Sequence, residues 1–354
     1  MRVCSTENET LFDVGGELGA CLSFISFIAS STEGANTSTM KTSQKPSWLS
    51  FGPIPGLVTC CCVASVIFSS ITPALRAQAP SLPPTESDAA LRSNGSVTTT
   101  HSQNDWVSRW LQIVDKTRAE QPHYVAPLIT THVLLVQQFR FDSYFQQAAG
   151  VWSQEYGAGK GLEIIPNTRM EVQVGIPPYF SHGASNMSDG FGDVSILLKF
   201  RAFSAPEGKG DYFVGLFLAG AFPSAAAPNG LGHTVWSPMI AAAKGWRFFD
   251  VQSTLSGNLP QSGTNVLGRQ ILFNNAFQFK VANIFWPEVE TNSTFFVDGP
   301  LSGNNETFLT PGLITGPFQI AERLHFAAGF GVQIAATHFH RYDHRLIWSM
   351  RFPF

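Results

Sequence analysis

Charge is what this sequence has least of. Asp, Glu, Lys and Arg supply 13% of the 354 residues, against roughly 25% in an ordinary soluble domain. The balance is nearly neutral, at -3, and no basic run occurs, so the electrostatic footprint of a nucleic-acid binder is missing. Cysteine is confined to the front: Cys4, Cys21, Cys60, Cys61 and Cys62 all lie at or before position 62. The rest of an exported chain would have to hold together without disulfides. From about residue 123 no long helical periodicity appears either.

The front of the chain reads as an export signal. Lys41 and Lys45 precede the apolar run LVTCCCVASVIFSSI (57–71), and TPALRAQAP follows it. A charged start, a short apolar centre and a small-residue exit predict a secretory signal peptide over 40–77, cleaved after Ala77. The run is shorter than the roughly 20 residues a spanning helix needs. A lipoprotein reading of Cys60–Cys62 is the alternative, disfavoured by Thr59 where Gly or Ala is expected. Residues 1–39 then form an upstream extension. Residues 78–104, rich in Pro, Ser and Thr, read as a disordered linker. In DWVSRWLQIVDKTRAEQ, Trp106, Val107, Trp110, Ile113 and Val114 share one stripe with Asp105 as a possible N-cap. That predicts a short amphipathic helix over 105–121, packed on the domain behind it or plugging it.

The body, 122–354, is written in period two. In DVSILLKFRAF, Val194, Ile196, Leu198, Phe200 and Ala202 oppose Ser195, Lys199 and Arg201; in TRMEVQVGI, Met170, Val172, Val174 and Ile176 oppose Arg169, Glu171 and Gln173. RQILFNNAFQFKV and HFAAGFGVQIAA alternate in the same way. A soluble sandwich buries its apolar face between sheets, whereas a membrane barrel turns that face to lipid and its polar face to the lumen. The export signal, the lack of cysteine and strands of the length a tilted membrane strand needs favour the barrel. Candidate strands are 133–145, 162–175, 192–202, 211–222, 235–244, 247–256, 269–281, 284–291, 307–317, 325–336 and 344–354. Bacterial barrels normally have an even number of strands, so a twelfth is expected in HYVAPLITTH (123–132). The connections near 176–191, 223–234, 257–268 and 292–306 then fall outside and the shorter ones fall in the periplasm. The connection 147–161 lands inside despite its length.

The inward faces so defined carry Arg169, Glu171, Lys199, Arg201, Lys280, Glu288, Glu290, His325, Arg345 and Arg351, the candidate lumen-lining residues. Charges of both signs there can line a narrow polar path or pair and close it. The closing LIWSMRFPF sends Leu346, Trp348, Met350, Phe352 and Phe354 to one side. This side is read as facing lipid, with Trp348 and Phe352 as interfacial anchors.

Other motifs are weaker. GAGKG (157–161) lacks the four-residue gap of a phosphate loop and reads as a Gly-rich connection. In THFHRYDHR, His338, His340 and His344 could approach a metal across a hairpin, but a polar loop with Arg341 and Asp343 paired is the plainer reading. Asp189 and Asp193 in NMSDGFGD suggest a loop-to-strand turn before they suggest calcium ligands. An outer-membrane phospholipase would need a Ser, a His and an orienting partner in reach of one another; Ser181 and His182 are adjacent and point apart. No catalytic residue, cofactor or metal is expected.

GFGDVSILLKFR (190–201), with Gly190, Phe191, Gly192 and Asp193 leading into a strand, FLTPGL (308–313) and the closing HRLIWSMRFPF together resemble the outer-membrane transporter family named for the meta-pathway of phenol degradation. The resemblance covers about residues 123–354. It implies an all-β, antiparallel up-and-down barrel of about twelve strands in the outer membrane of a Gram-negative (diderm) bacterium. It also implies passive uptake or efflux of small, hydrophobic or aromatic molecules. The partners expected are outer-membrane lipid and the barrel-assembly machinery, for which Phe354 resembles the C-terminal aromatic signal. The alternative is a structural or adhesive barrel with a closed, salt-bridged lumen.

Overall fold

The computed structural model describes residues 104–354. The expected extension and signal peptide, and the linker up to residue 103, lie outside the described residues. The first element is helix α1 (Asn104–Ala119). It packs on the wall through Trp110, Ile113, Val114 and Thr117, one helical stripe, while Trp106 from the expected stripe stays exposed.

A single antiparallel sheet follows. β1 (Gln138–Ala148) opens it, and β15 (His344–Pro353) pairs with β1 from Gln138 opposite Pro353 to Gln147 opposite His344. That last ladder closes the sheet on itself. Between them run β2 (Val151–Gly157), β3 (Gly161–Asn167), β4 (Met170–Gly175), β5 (Tyr179–His182), β6 (Gly190–Phe191), β7 (Val194–Ala205), β8 (Tyr212–Phe222), β9 (Val235–Trp246), β10 (Phe249–Pro260), β11 (Gln270–Phe279), β12 (Phe285–Phe296), β13 (Asn305–Gln319) and β14 (His325–Ala335), with a one-turn helix α2 (Thr264–Leu267) before β11. Three wall strands come in two pieces: β2 with β3, β4 with β5, and β6 with β7 each lie against the same neighbour. The wall is therefore a closed barrel of twelve strands.

The strand count agrees with expectation, but its origin does not. Residues 123–132 contribute no strand, and the wall starts at Gln138 rather than near 122 or 133. The twelfth strand comes from 151–167, because the expected strand 162–175 is two strands folded at the turn 168–169. The connection expected over 147–161 is only the turn 149–150, at the end opposite both that fold and the C-terminus. What hid this was GAGKG. Gly157, Ala158 and Gly159 have φ of 87°, 46° and 65°, a left-handed run that glycine adopts at no steric cost and Ala rarely does. It interrupts the strand without ending it.

The connections at 168–169, 206–211, 247–248, 280–284 and 320–324 are short, and those at 183–189, 223–234, 261–269, 297–304 and 336–343 are mostly longer. By that asymmetry the first set, with Pro353 beside it, is the periplasmic end. Along every wall strand outward and inward residues alternate. In β7, Ile196, Leu198 and Phe200 are exposed and Leu197, Lys199 and Arg201 are buried.

Candidate lumen and its plug

The interior holds more than wall side chains. After α1, residues 120–137 rise into the barrel, turn near 128–131 and descend to β1. Gln121 ties the two limbs together: its amide nitrogen donates to Leu135 O (2.7 Å) and its oxygen accepts from Leu135 N (3.2 Å). Such a segment forms no sheet ladder, so its buried backbone groups need other partners. The wall supplies them as charged side chains.

Arg140 donates to the carbonyls of Pro127 (2.9 Å) and Leu128 (2.8 Å) while pairing with Asp142 (2.7 Å). Arg351 donates to the carbonyls of Ala126 and Pro127. Glu288 accepts from Leu128 N (3.1 Å), and Glu290 accepts from Ile129 N (2.8 Å) and Thr130 N (2.6 Å). Gln252 donates to Val125 O (2.9 Å), and on the other limb Glu171 accepts from Val136 N (2.5 Å) and holds Lys199 (2.7 Å). Charges this deeply buried are tolerable only when paired and hydrogen-bonded, and the plug backbone provides part of that pairing.

Sterics complete the fit. The Leu128 side chain enters a socket on β13 and β14 where Gly312, Gly329 and Gly331 leave the room. A Cβ added at those positions would stand 2.4, 2.6 and 2.5 Å from its methyl carbons. Tyr144, Trp286, Ile314 and Ile347 surround it. The opposite side of the lumen is apolar: Leu197, Phe213, Phe217, Ala241 and Ala243 pack on Val133, Leu134 and Leu135.

Helix α1 braces the periplasmic end. Trp110 donates to Ile165 O (2.8 Å), Asp115 pairs with Arg323 (2.5 Å), and Arg118 donates to the carbonyl of Phe354 (2.8 Å), whose amide donates to Gln137 O (3.1 Å). At the outer end the loop 336–343 folds over the mouth. Tyr342 stacks on Phe308 at 4.3 Å and donates to Gln333, Arg341 pairs with Glu306, and Arg345 lies 4.8 Å and 4.2 Å from the rings of Tyr144 and Tyr342.

Of the ten candidate lumen residues, Glu171, Lys199, Glu288, Glu290 and Arg351 meet at the plug. Arg201 binds Thr117 O and Glu120 at the α1 end, and Arg345 stands at the outer mouth. Arg169 is exposed in the turn 168–169, His325 lies at the periplasmic rim beside Arg323 O, and Lys280 packs over Trp286. Arg140, Asp142, Glu163, Gln252 and Gln278 also face inward. Alternation in β11 already puts Gln278 on the polar face, and it would have found the other four had β1, β3 and β10 been read for theirs.

The loop motifs resolve differently. Arg341 takes Glu306, while Asp343 takes His340 (3.2 Å) and Ala149 N, so the expected Arg341–Asp343 pair does not form. His344 packs edge-on against Trp152, and among the described residues no three metal-binding groups converge. Asp193 accepts from the backbone of Ser224, Ala225 and Leu231, and Asp189 from Ser181 and His182 N. Both carboxylates latch loops. His182 faces Asn229, not Ser181. Two loop groups shift accordingly. The hydrogen bonds from His182 N and Ser181 hold the Asp189 carboxyl below its usual range, and those to Thr337 O and Asp343 raise His340 above its usual 6.5.

The outer wall decides what surrounds the barrel. Leu216 is 54% exposed, Ile240 55%, Phe273 45% and Phe330 46%, whereas Lys199 and Arg351 inside are 1% exposed. Rings of aromatics flank this belt: Phe203, Tyr212, Trp246, Phe248 and Phe318 toward the periplasmic end, Trp152, Tyr179, Phe191, Trp236 and Phe295 toward the other. Water would not tolerate so continuous an apolar surface, and lipid with two interfaces requires it. The chain is an outer-membrane β-barrel. Phe352 sits in the periplasmic ring beside Phe139 and Phe326, but Trp348 pairs with Phe330 halfway along β15 and is not at an interface.

No protein-family model matches the chain, and no curated protein does. Among solved structures it is similar to an outer membrane channel from Pseudomonas putida F1, at 11% identity and TM-score 0.46 over 65% of this chain and 100% of that one. It is also similar to the NanC porin, at 7% and 0.42 over 61% and 98%, and to the outer membrane channel DcaP of Acinetobacter baumannii, at 10% and 0.29 over 62% and 96%.

Proposed function

We propose that this barrel is a passive channel whose path is closed by residues 120–137 and opens when that segment yields. The observation that carries this reading is how the interior is filled. A purely structural barrel of this size can close itself with wall side chains. Here a separate stretch of chain fills the lower lumen, and the wall grips it mainly by hydrogen bonds between charged side chains and its backbone. Those bonds can be exchanged for bonds to water at a modest net cost, and the groups left behind would line an aqueous path.

The solutes proposed are small molecules with a hydrophobic or aromatic body. The apolar stripe of Leu197, Phe213 and Phe217 and the Tyr144, Tyr342 and Phe308 rings at the outer mouth support this class, as does the resemblance to the phenol-pathway transporters. The partners in this reading are outer-membrane lipid on the girdled wall and, through Phe354, the barrel-assembly machinery. The number of clamps on the plug favours a second reading, a permanently closed structural or adhesive barrel. Solute flux separates them. Liposomes carrying the refolded protein are expected to take up a small aromatic such as phenol derivatives faster than empty liposomes and faster than a sugar of similar size. Osmotically silent vesicles would leave the structural reading.

A further inference from the structure

A second site sits where the plug meets the wall. A partly enclosed cavity of about 140 Å³ lies between the plug residues Thr131 and His132 and the inner faces of β3, β4, β7 and β8. At the liquid volume of water that is room for roughly four or five molecules, enough for a compact ion.

Its lining is unevenly charged. Arg140, Lys160 and Lys199 bring three cations against the single carboxylate of Glu163. Two of the three are committed elsewhere, Arg140 to Asp142 and the plug carbonyls, Lys199 to Glu171 (2.7 Å) and Glu163 (3.6 Å). Lys160 has neither ion pair nor side-chain hydrogen bond among the described residues. It is the lysine of GAGKG, and the left-handed run at 157–159 that breaks the strand also sets its position, with its own amide on Gly157 O (2.9 Å) and Ile176 N on its carbonyl (2.7 Å).

The second observation is His132. It is 4% exposed, lines the same cavity, and neither ring nitrogen meets a partner at hydrogen-bond geometry. The backbone of Tyr124 lies near the ring without that alignment. A buried imidazole with both nitrogens unmet is costly, and here it faces an unpaired ammonium across a polar space. The Ser195 hydroxyl and the Gln173 amide also line it; both donate to Gly159 O (3.5 and 3.2 Å), and the amide keeps a second N–H for an anion.

We infer that this cavity binds a compact oxyanion, an inorganic phosphate or a carboxylate of acetate size, held by Lys160 from the wall and His132 from the plug. Phosphate and carboxylate share the chemistry that Lys160 and His132 recognise, a delocalised negative charge with several acceptor oxygens. The inference does not depend on conduction, since a closed barrel could hold the same ion. It assigns GAGKG a role in ligand binding through its lysine alone, without the backbone cradle of a phosphate loop.

The test is calorimetric titration of the refolded full barrel in detergent with sodium phosphate, sodium acetate and, as reference, sodium chloride at matched ionic strength. Saturable one-to-one binding of phosphate, acetate or both, absent for chloride, is expected, and which of them binds names the source. Lys160→Met is expected to weaken it roughly ten- to a hundredfold, the worth of one charge-assisted hydrogen bond, while Lys160→Arg keeps it within a few fold. Folding of each variant is read from its heat-dependent gel mobility. If Lys160→Met does not fold, His132→Leu decides, with a loss of similar size expected. No saturable binding of either oxyanion, or binding unchanged in the folded variants, overturns the assignment.

Discussion

Leu128 shows at the scale of one residue how the plug is held. Its methyl groups occupy space that exists only because Gly312, Gly329 and Gly331 carry no Cβ, so the socket is specified by what three wall positions lack. Truncation to Leu128→Ala removes roughly 2–5 kcal/mol of buried apolar contact from the plug and nothing from the wall ladders. The variant is expected to keep the heat-dependent mobility of a folded barrel and to show larger or more frequent conductance steps in planar bilayers than the parent. Unchanged conductance in a folded variant would mean that Leu128 does not hold the plug. Sequence reading could not see this residue's role. Leu128 and Val133 to Val136 look like strand, and their backbone partners include side chains of β1, β4, β7 and β12, most of them far away in sequence. Lys199, Glu171 and Arg351, by contrast, were legible, since alternation in their strands put them on the polar face.

Among the elements, strands were read well wherever the wall kept period two without interruption. The errors cluster at 122–182, where a left-handed run splits one strand and the two-residue turns 149–150 and 168–169 leave little polar punctuation. The loop 336–343 is the element with the clearest pH dependence. His340 is held by Thr337 O (3.0 Å) and Asp343 (3.2 Å), and Asp343 also binds Ala149 N across the mouth. Because these bonds raise its pKa above the usual 6.5, their contribution is complete below that value and is lost as pH rises through the raised one. The loop is therefore expected to be cut by added protease faster at alkaline than at mildly acidic pH, and His340→Gln should flatten the difference. The same slope in that variant would place the titrating group elsewhere.

The whole molecule inverts the ordinary arrangement of a soluble protein, with apolar residues outside and charges at its centre. That inversion is what makes a low-charge sequence workable: the few charges are concentrated where a chain segment must be gripped. If the grip can loosen, the barrel conducts; if it cannot, the lumen is only a brace. The region beyond residue 62 contains no cysteine, which allows the question to be put directly. Leu128→Cys combined with Gly329→Cys places two thiols at the socket, where the Leu128 side chain already meets the glycine backbone. Ion conductance of the refolded double variant in planar bilayers is then measured before and after oxidation. The account predicts conducting events in the reduced protein and their disappearance when the disulfide fixes the plug, with recovery on reduction. Conductance that is the same in both states, with the disulfide verified, would contradict a path closed by residues 120–137.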